Sequence, residues 1–227
     1  MKSTLAFTFI ALGLFAVLPQ QTQAEEYHLG FRITPRISTL GGGLEVAQGV
    51  TPWLGLRAGA NYFTYGYEAT ESDINYDLDL ELKSFGLFAD IHPFKQAFRL
   101  SVGFLINGNG IDGTGKPTTG STNINIGGKD YILDSIGLDL SYNTFAPYVG
   151  LGFDTTFGDE DNWGFAFDLG VMFSGSPEAK LSPRGSASVL NDPTFQSDVE
   201  KEKQEIQDEL NQFEFWPVLS AGIVYQF

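Results

Sequence analysis

Apolar and polar residues alternate with a period of two along most of this chain. Successive side chains of a strand point to opposite faces, so the alternation predicts strands with one apolar face. The cleanest run is 163–173, where Trp163, Phe165, Phe167, Leu169, Val171 and Phe173 oppose Gly164, Ala166, Asp168, Gly170 and Met172. The same pattern predicts a strand over 53–65, with Leu54, Leu56, Ala58, Ala60 and Tyr62 against Gly55, Arg57, Gly59 and Asn61. Over 97–107, Phe98, Leu100, Val102, Phe104 and Ile106 oppose Arg99, Ser101 and Gly103. Over 145–157, Val149, Leu151 and Phe153 oppose Tyr148, Gly150, Gly152 and Asp154. Two shorter strands, 27–37 and 42–48, flank the glycine-rich turn at 39–43.

One strand breaks phase. In 76–91, Leu78, Leu80 and Leu82 alternate with Asp77, Asp79, Glu81 and Lys83, and then the apolar set continues as Phe85, Leu87, Ala89 and Ile91. One extra residue near Lys83 and Ser84 would account for the slip, so a β-bulge is predicted there. The final segment, 215–227, alternates Leu219, Ala221, Ile223, Tyr225 and Phe227 with Ser220, Gly222, Val224 and Gln226. About ten tilted strand residues cross a bilayer's hydrocarbon layer, and an apolar Phe227 suits a barrel better than a water-soluble strand.

The remaining elements have local signatures. The long polar stretch 111–137 holds Asn123–Ile126 and residues 130–133 around Gly127-Gly128, a hairpin signal. Asp192 followed by Pro193 reads as a helix cap and first helical position. Val199, Ile206, Leu210 and Phe213 then form a stripe through 192–213. The fold class is therefore all-β: an eight-stranded antiparallel transmembrane β-barrel over 25–227, with one short amphipathic helix before the last strand. Short links at 49–52, 92–96 and 158–162 are assigned to the periplasmic side. The helix then falls in the last outer loop.

Composition adds an address and removes function classes. Residues 1–24 have Lys2, an apolar stretch from Leu5 to Leu18 and a Thr22-Gln23-Ala24 cleavage pattern, as in a secretory signal. Their removal takes away one charge, Lys2, and leaves 12 basic against 28 acidic residues, a formal charge of −16. A chain this acidic is a poor nucleic-acid partner. It has no cysteine, so neither disulfides nor thiolate chemistry is available. Twenty Phe, nine Tyr and 27 Gly suit a lipid-facing wall, interfacial girdles and a crowded small lumen. A β-sandwich shares the alternation, so composition alone does not choose between the two.

Candidate chemistry is sparse. Residues 108–113 match G-x-G-x-x-G but open a polar loop with no helix behind it, so no dinucleotide site is assigned. Asp73, Asn75 and Asp77 begin a calcium-loop spacing, but Leu78 stands where the turn glycine belongs. No metal, cofactor or catalytic residue is assigned. The two histidines, His28 and His92, lie at expected periplasmic ends without a nucleophile to serve, so no enzyme is predicted. What stands out is the set of inward ionisable residues: Arg57, Asp77, Asp79, Glu81, Lys83, Asp90, Arg99, Asp154 and Asp168. Six acids against three bases would favour a cation path. The alternative is a paired salt-bridge core.

Several stretches, taken in order, resemble the CarO-type small outer-membrane barrels. They are 39–43, 76–80 (YDLDL), 127–131 (GGKDY), 146–153 (APYVGLGF), 162–164 (NWG), 175–177 (GSP), the charged helix and 216–218 (WPV). The resemblance implies an eight-stranded barrel associated with uptake of ornithine and other basic amino acids. It implies an outer-membrane location, with lipid and lipopolysaccharide around the wall and the barrel assembly machinery engaging the Phe227 strand. The functional expectation is passive uptake of small cationic, amino-acid-like solutes. The alternative is a closed structural or adhesive barrel that displays its surface loops.

Overall fold

A computed structural model of the chain describes residues 29–71, 73–118 and 123–227, with the side chain of Glu71 excepted. The expected signal segment and His28 lie outside these residues. The elements run β1 (Phe31–Ser38), β2 (Gly41–Thr51), β3 (Leu54–Glu71), β4 (Ile74–Ile91) and β5 (Phe98–Asn107). Next come β6 (Gly110–Pro117), β7 (Asn123–Ile126), β8 (Lys129–Ile132), β9 (Ser135–Ser141), β10 (Phe145–Asp154) and β11 (Trp163–Phe173). The chain finishes with β12 (Glu178–Arg184), α1 (Ala187–Leu190), α2 (Pro193–Leu210) and β13 (Phe215–Gln226).

Eight of these strands close a ring, in the order β1-β2-β3-β4-β5-β10-β11-β13, every neighbour antiparallel. β1 completes it against β13, with Arg32 opposite Gln226 and Ser38 opposite Ser220. Closure satisfies every strand edge in the wall, which lipid requires. The wall is inverted relative to a water-soluble core. Phe165 and Phe167 on β11 are 57% and 53% exposed, while Arg99 on β5 is 2% exposed. The predicted alternation therefore places aromatics outward and charges inward. Glycine makes the interior passable for side chains: a Cβ at Gly150 or Gly170 would lie 2.4 or 2.3 Å from the buried Tyr148 hydroxyl.

The links at 52–53, 92–97 and 155–162 share one end of the barrel with Phe227. The β3–β4 turn, the long 108–144 excursion and α2 lie at the other, here called the far end. α2 starts as predicted: Asp192 Oδ1 accepts from the Thr194 and Phe195 N–H groups at 2.7 and 3.0 Å, with Pro193 in the first turn. It ends at Leu210, and Phe213 lies beyond it, exposed. Among the described residues no helix is long and apolar enough to cross a membrane.

The predicted bulge is absent. β3 and β4 pair in unbroken register from Leu54 opposite Ile91 to Glu71 opposite Ile74. The phase slip has another cause. From Ser84 to Ile91, β4 is part of the barrel and pairs with β5, and its outward face, Phe85, Leu87 and Ile91, is apolar. Before Ser84 it lies outside the wall and, over Ile74–Glu81, pairs with β6, which pairs with β9, which pairs with β12. In this far-end extension the inner face is the apolar one: Tyr76, Leu78 and Leu80 lie opposite Gly115, Gly113 and Ile111. The outer face meets water and is polar. A straight strand that passes from lipid to water keeps its backbone regular while its hydrophobic face switches sides.

The extension has its own small core. Ile124, Ile126, Leu133 and Phe195 are buried together, with Ile74, Tyr131, Ile136 and Val199 against them. The β7–β8 hairpin turns at Gly127 and Gly128, with φ of 60° and 84°, the left-handed pair that a two-residue turn of this type requires. α2 docks on this hairpin. Its Glu202 accepts the Gly127 N–H at 2.9 Å, and its Asp198 accepts from the Lys129 ammonium at 2.9 Å and the Tyr131 hydroxyl at 2.5 Å.

Candidate functional site: the charged lumen

Five of the predicted residues meet inside the barrel. Arg57 Nε donates to Asp90 Oδ2 at 2.7 Å and its Nη2 to Asp90 Oδ1 at 3.1 Å. Its Nη1 donates to Glu45 Oε2 at 2.8 Å. Arg99 Nη2 donates to Asp168 Oδ1 at 2.8 Å and lies 3.7 Å from Asp154 through Nη1. Ser101 donates to Asp90 at 2.5 Å and Ser220 to Asp168 at 3.0 Å. All five ionisable groups are buried.

Three further members escaped the sequence reading: Arg32, Arg36 and Glu45. Arg36 bonds Glu45 and Ser220 and reaches Asp168 at 3.2 Å; Arg32 lies 3.4 Å from Asp154. The signal for them was present. Arg32, Thr34 and Arg36 alternate with Phe31, Ile33, Pro35 and Ile37 in β1, and Glu45 and Ala47 with Leu44 and Val46 in β2.

Asp77, Asp79 and Glu81 are not in the lumen. They stand on the outer face of the far-end extension because no bulge rotates β4, and Lys83 stands with them, 2.7 Å from Glu81. The expected surplus of acids in the lumen is therefore absent. The lumen holds four arginines, Arg32, Arg36, Arg57 and Arg99, and four carboxylates, Glu45, Asp90, Asp154 and Asp168. Buried charges are tolerated when each is paired and hydrogen-bonded. Arg57 and Arg99 meet that condition. The Arg32 guanidinium is held by charge alone, 3.4 Å from Asp154, and Arg32 Nε and Nη1 and Arg36 Nε have no hydrogen-bond partner among the described residues.

Plugs flank the lattice. Toward the far end, Leu40, Leu105, Ala146, Tyr148, Met172 and Val218 are buried as one cluster, with Phe88 and Trp216 against it. Toward the terminal end, His92 and Phe157 stack with centroids 3.4 Å apart, and the Arg32 guanidinium lies 4.9 Å from the Phe157 ring. His92 Nδ1 is 2.9 Å from the Gln96 carbonyl oxygen. A void of about 20 Å³ remains between the lattice and the far plug, lined by Arg36, Glu45, Arg57, Asn61 and Tyr148. That is room for a single water and too little for an amino acid.

No family model and no curated protein matches the chain. Solved structures do. The chain is similar to Acinetobacter baumannii CarO, with 24% identity and a TM-score of 0.56, over 89% of this chain and 100% of that one. It is similar to Acinetobacter baumannii CarO2 at 22% identity and a TM-score of 0.56, over 88% and 99%. The shared fold is a closed eight-stranded antiparallel barrel.

Proposed function

We propose that this protein is an outer-membrane barrel, shut to solutes, that holds its far-end extension and α2 out to partners at the cell surface. The observation that carries this reading is the lumen: four arginines and four carboxylates locked together between two plugs. The CarO-like fold supports the outer-membrane location, and the 1–24 pattern supports export. Lipid and lipopolysaccharide then contact the outward aromatic rows, and the assembly machinery engages the final strand through Phe227. No enzymatic role is proposed, since His92 is held between Phe157 and the Gln96 carbonyl oxygen.

A second reading, passive uptake of small cationic solutes, is favoured by Glu45, Asp90 and Asp168 along the axis and by the resemblance to CarO-type barrels. Passage then requires the arginines to leave those carboxylates. Liposome swelling with ornithine, arginine and glutamate separates the two. The display reading expects no permeation above protein-free liposomes. Ornithine and arginine entering faster than glutamate would replace it with uptake.

A further inference from the structure

The far-end extension has two free edges, and they are built differently. An exposed strand edge offers unpaired N–H and C=O groups to any passing chain, and proteins commonly blunt it. β12 is blunted: Pro183 has no N–H, Lys180 adds charge, and the Ala179 N–H donates to Gln207 Oε1 of α2 at 3.2 Å. β3 is open. Its other neighbour, β2, stops pairing at Gly42 opposite Tyr62, so residues 63–71 pair with β4 alone. Positions 62–68 are all exposed, with neither proline nor lysine among residues 63–71.

The backbone direction along this edge follows from register. The His92 N–H donates to the Trp53 carbonyl at 2.8 Å, one step beyond the Leu54–Ile91 pair. In an antiparallel ladder hydrogen-bonded and non-bonded pairs alternate. Odd-numbered β3 residues therefore bond β4, and Thr64, Gly66, Glu68 and Thr70 turn their N–H and C=O groups to the open side. The two faces differ as well. Phe63, Tyr65 and Tyr67 line the inner face; the outer face carries Glu68, with Asp77, Asp79 and Glu81 directly behind on β4.

We infer that the free edge of β3, residues 63–71, receives an extended segment of another protein as an added strand. That segment is apolar where it meets Phe63, Tyr65 and Tyr67 and carries lysine or arginine where it meets Glu68, Asp77 and Asp79. Main-chain bonds supply the affinity and the alternating side chains the selectivity. A second copy of this chain fits poorly, because its edge brings the same carboxylates. The inference rests on the display reading and names the partner's chemistry.

The test uses the whole protein in detergent micelles and a labelled, end-blocked peptide alternating valine and lysine. Its glutamate counterpart and a version N-methylated at alternate residues are the comparisons. The lysine peptide binds saturably, the glutamate peptide at least about tenfold more weakly, and the N-methylated peptide not at all. Gly66→Pro removes one edge N–H without touching the bonds to β4 and abolishes binding. Gly66→Ala, whose Cβ meets only Asp79 Oδ1 at 3.2 Å, keeps it. Failure of the lysine peptide to bind overturns the inference, as does binding unchanged by N-methylation on the unaltered protein or by Gly66→Pro. So does a concentration-dependent dimer that Gly66→Pro dissolves, which would assign the edge to a second copy. Liposome permeation is independent of every one of these results, so failure of the edge and failure of the closed-barrel reading are distinct.

Discussion

Arg57 shows what a charge needs in order to sit inside a barrel. It spends its guanidinium on Asp90 and Glu45 and stacks 4.6 Å from the centroid of Phe88, so almost nothing of it needs water. Removing one partner of such a lattice leaves others buried and unpaired, at a cost of about 3–5 kcal/mol. Arg57→Ala should therefore lower the urea midpoint of the barrel in detergent markedly, whereas Lys83→Ala, outside the lumen, should leave it within about 0.5 kcal/mol. A second residue-scale effect lies at the α2 dock. The hydrogen bond to Asp198 pushes the Tyr131 phenol up to about 12, and hydrogen bonds from Tyr131 and then Lys129 pull Asp198 below its usual range. A raised phenol contributes stability that is fully present below its unfolded value of roughly 10 and is lost as pH rises toward the folded value. A depressed carboxyl contributes stability present above roughly 4 and lost in acid below that. The dock should thus hold between about pH 5 and 9, and Asp198→Asn should bring Tyr131 ionisation down in a tyrosinate absorbance titration.

At the scale of elements, β4 is the instructive strand. Its eighteen residues carry two hydrophobic patterns of opposite phase on one regular backbone. The pattern read alone points to a bulge, because a period-two rule assumes that one face stays apolar throughout. That assumption fails where the surroundings change from lipid to water. The switch also lines up carboxylates across the outer face of the extension, with Asp79 opposite Asp112 and Asp112 opposite Asp139. Partial burial, then Asp139, Glu81 and Asp79, raise the Asp112 carboxyl above its ordinary value. Ionised Asp112 therefore weakens this sheet, and the penalty lifts as pH falls through the raised value. Asp112→Asn should slow amide exchange in β6 and β9 at neutral pH, by a few tenths of a kcal/mol. An unchanged rate would mean that solvent screens the row fully.

For the whole molecule, the decisive quantity is which side of the wall each aromatic takes. Trp53 and Trp163 are exposed at the terminal end, Trp163 ringed by Tyr225 at 4.8 Å, while Trp216 turns inward beside the far plug. Interfacial belts of this kind mark the lipid boundary. In nanodiscs, brominated lipid should quench Trp53 and Trp163; replacing both by Phe should remove most of the quenching, and Trp216→Phe should leave it intact. Trp216 accounting for the quenching would mean that the wall is turned the other way.

What the chain determined by itself is what depends on neighbours in sequence: the strand faces, the Gly127-Gly128 turn, the Asp192-Pro193 helix start and the count of eight strands. Lipid outside and a narrow lumen inside make alternation unambiguous within each crossing, so Arg57, Asp90, Arg99, Asp154 and Asp168 could be placed inward from sequence. Tertiary structure decided which of these charges meet. Arg36 lies beside Glu45 and Asp168 only after β1 has closed against β13, at a stagger that no single strand encodes. It also decided that Asp77, Asp79 and Glu81 stand in water, because the boundary between wall and extension is set by where β5 gives way to β6. The same closure fills the lumen, since the number of strands fixes a width that the paired side chains occupy.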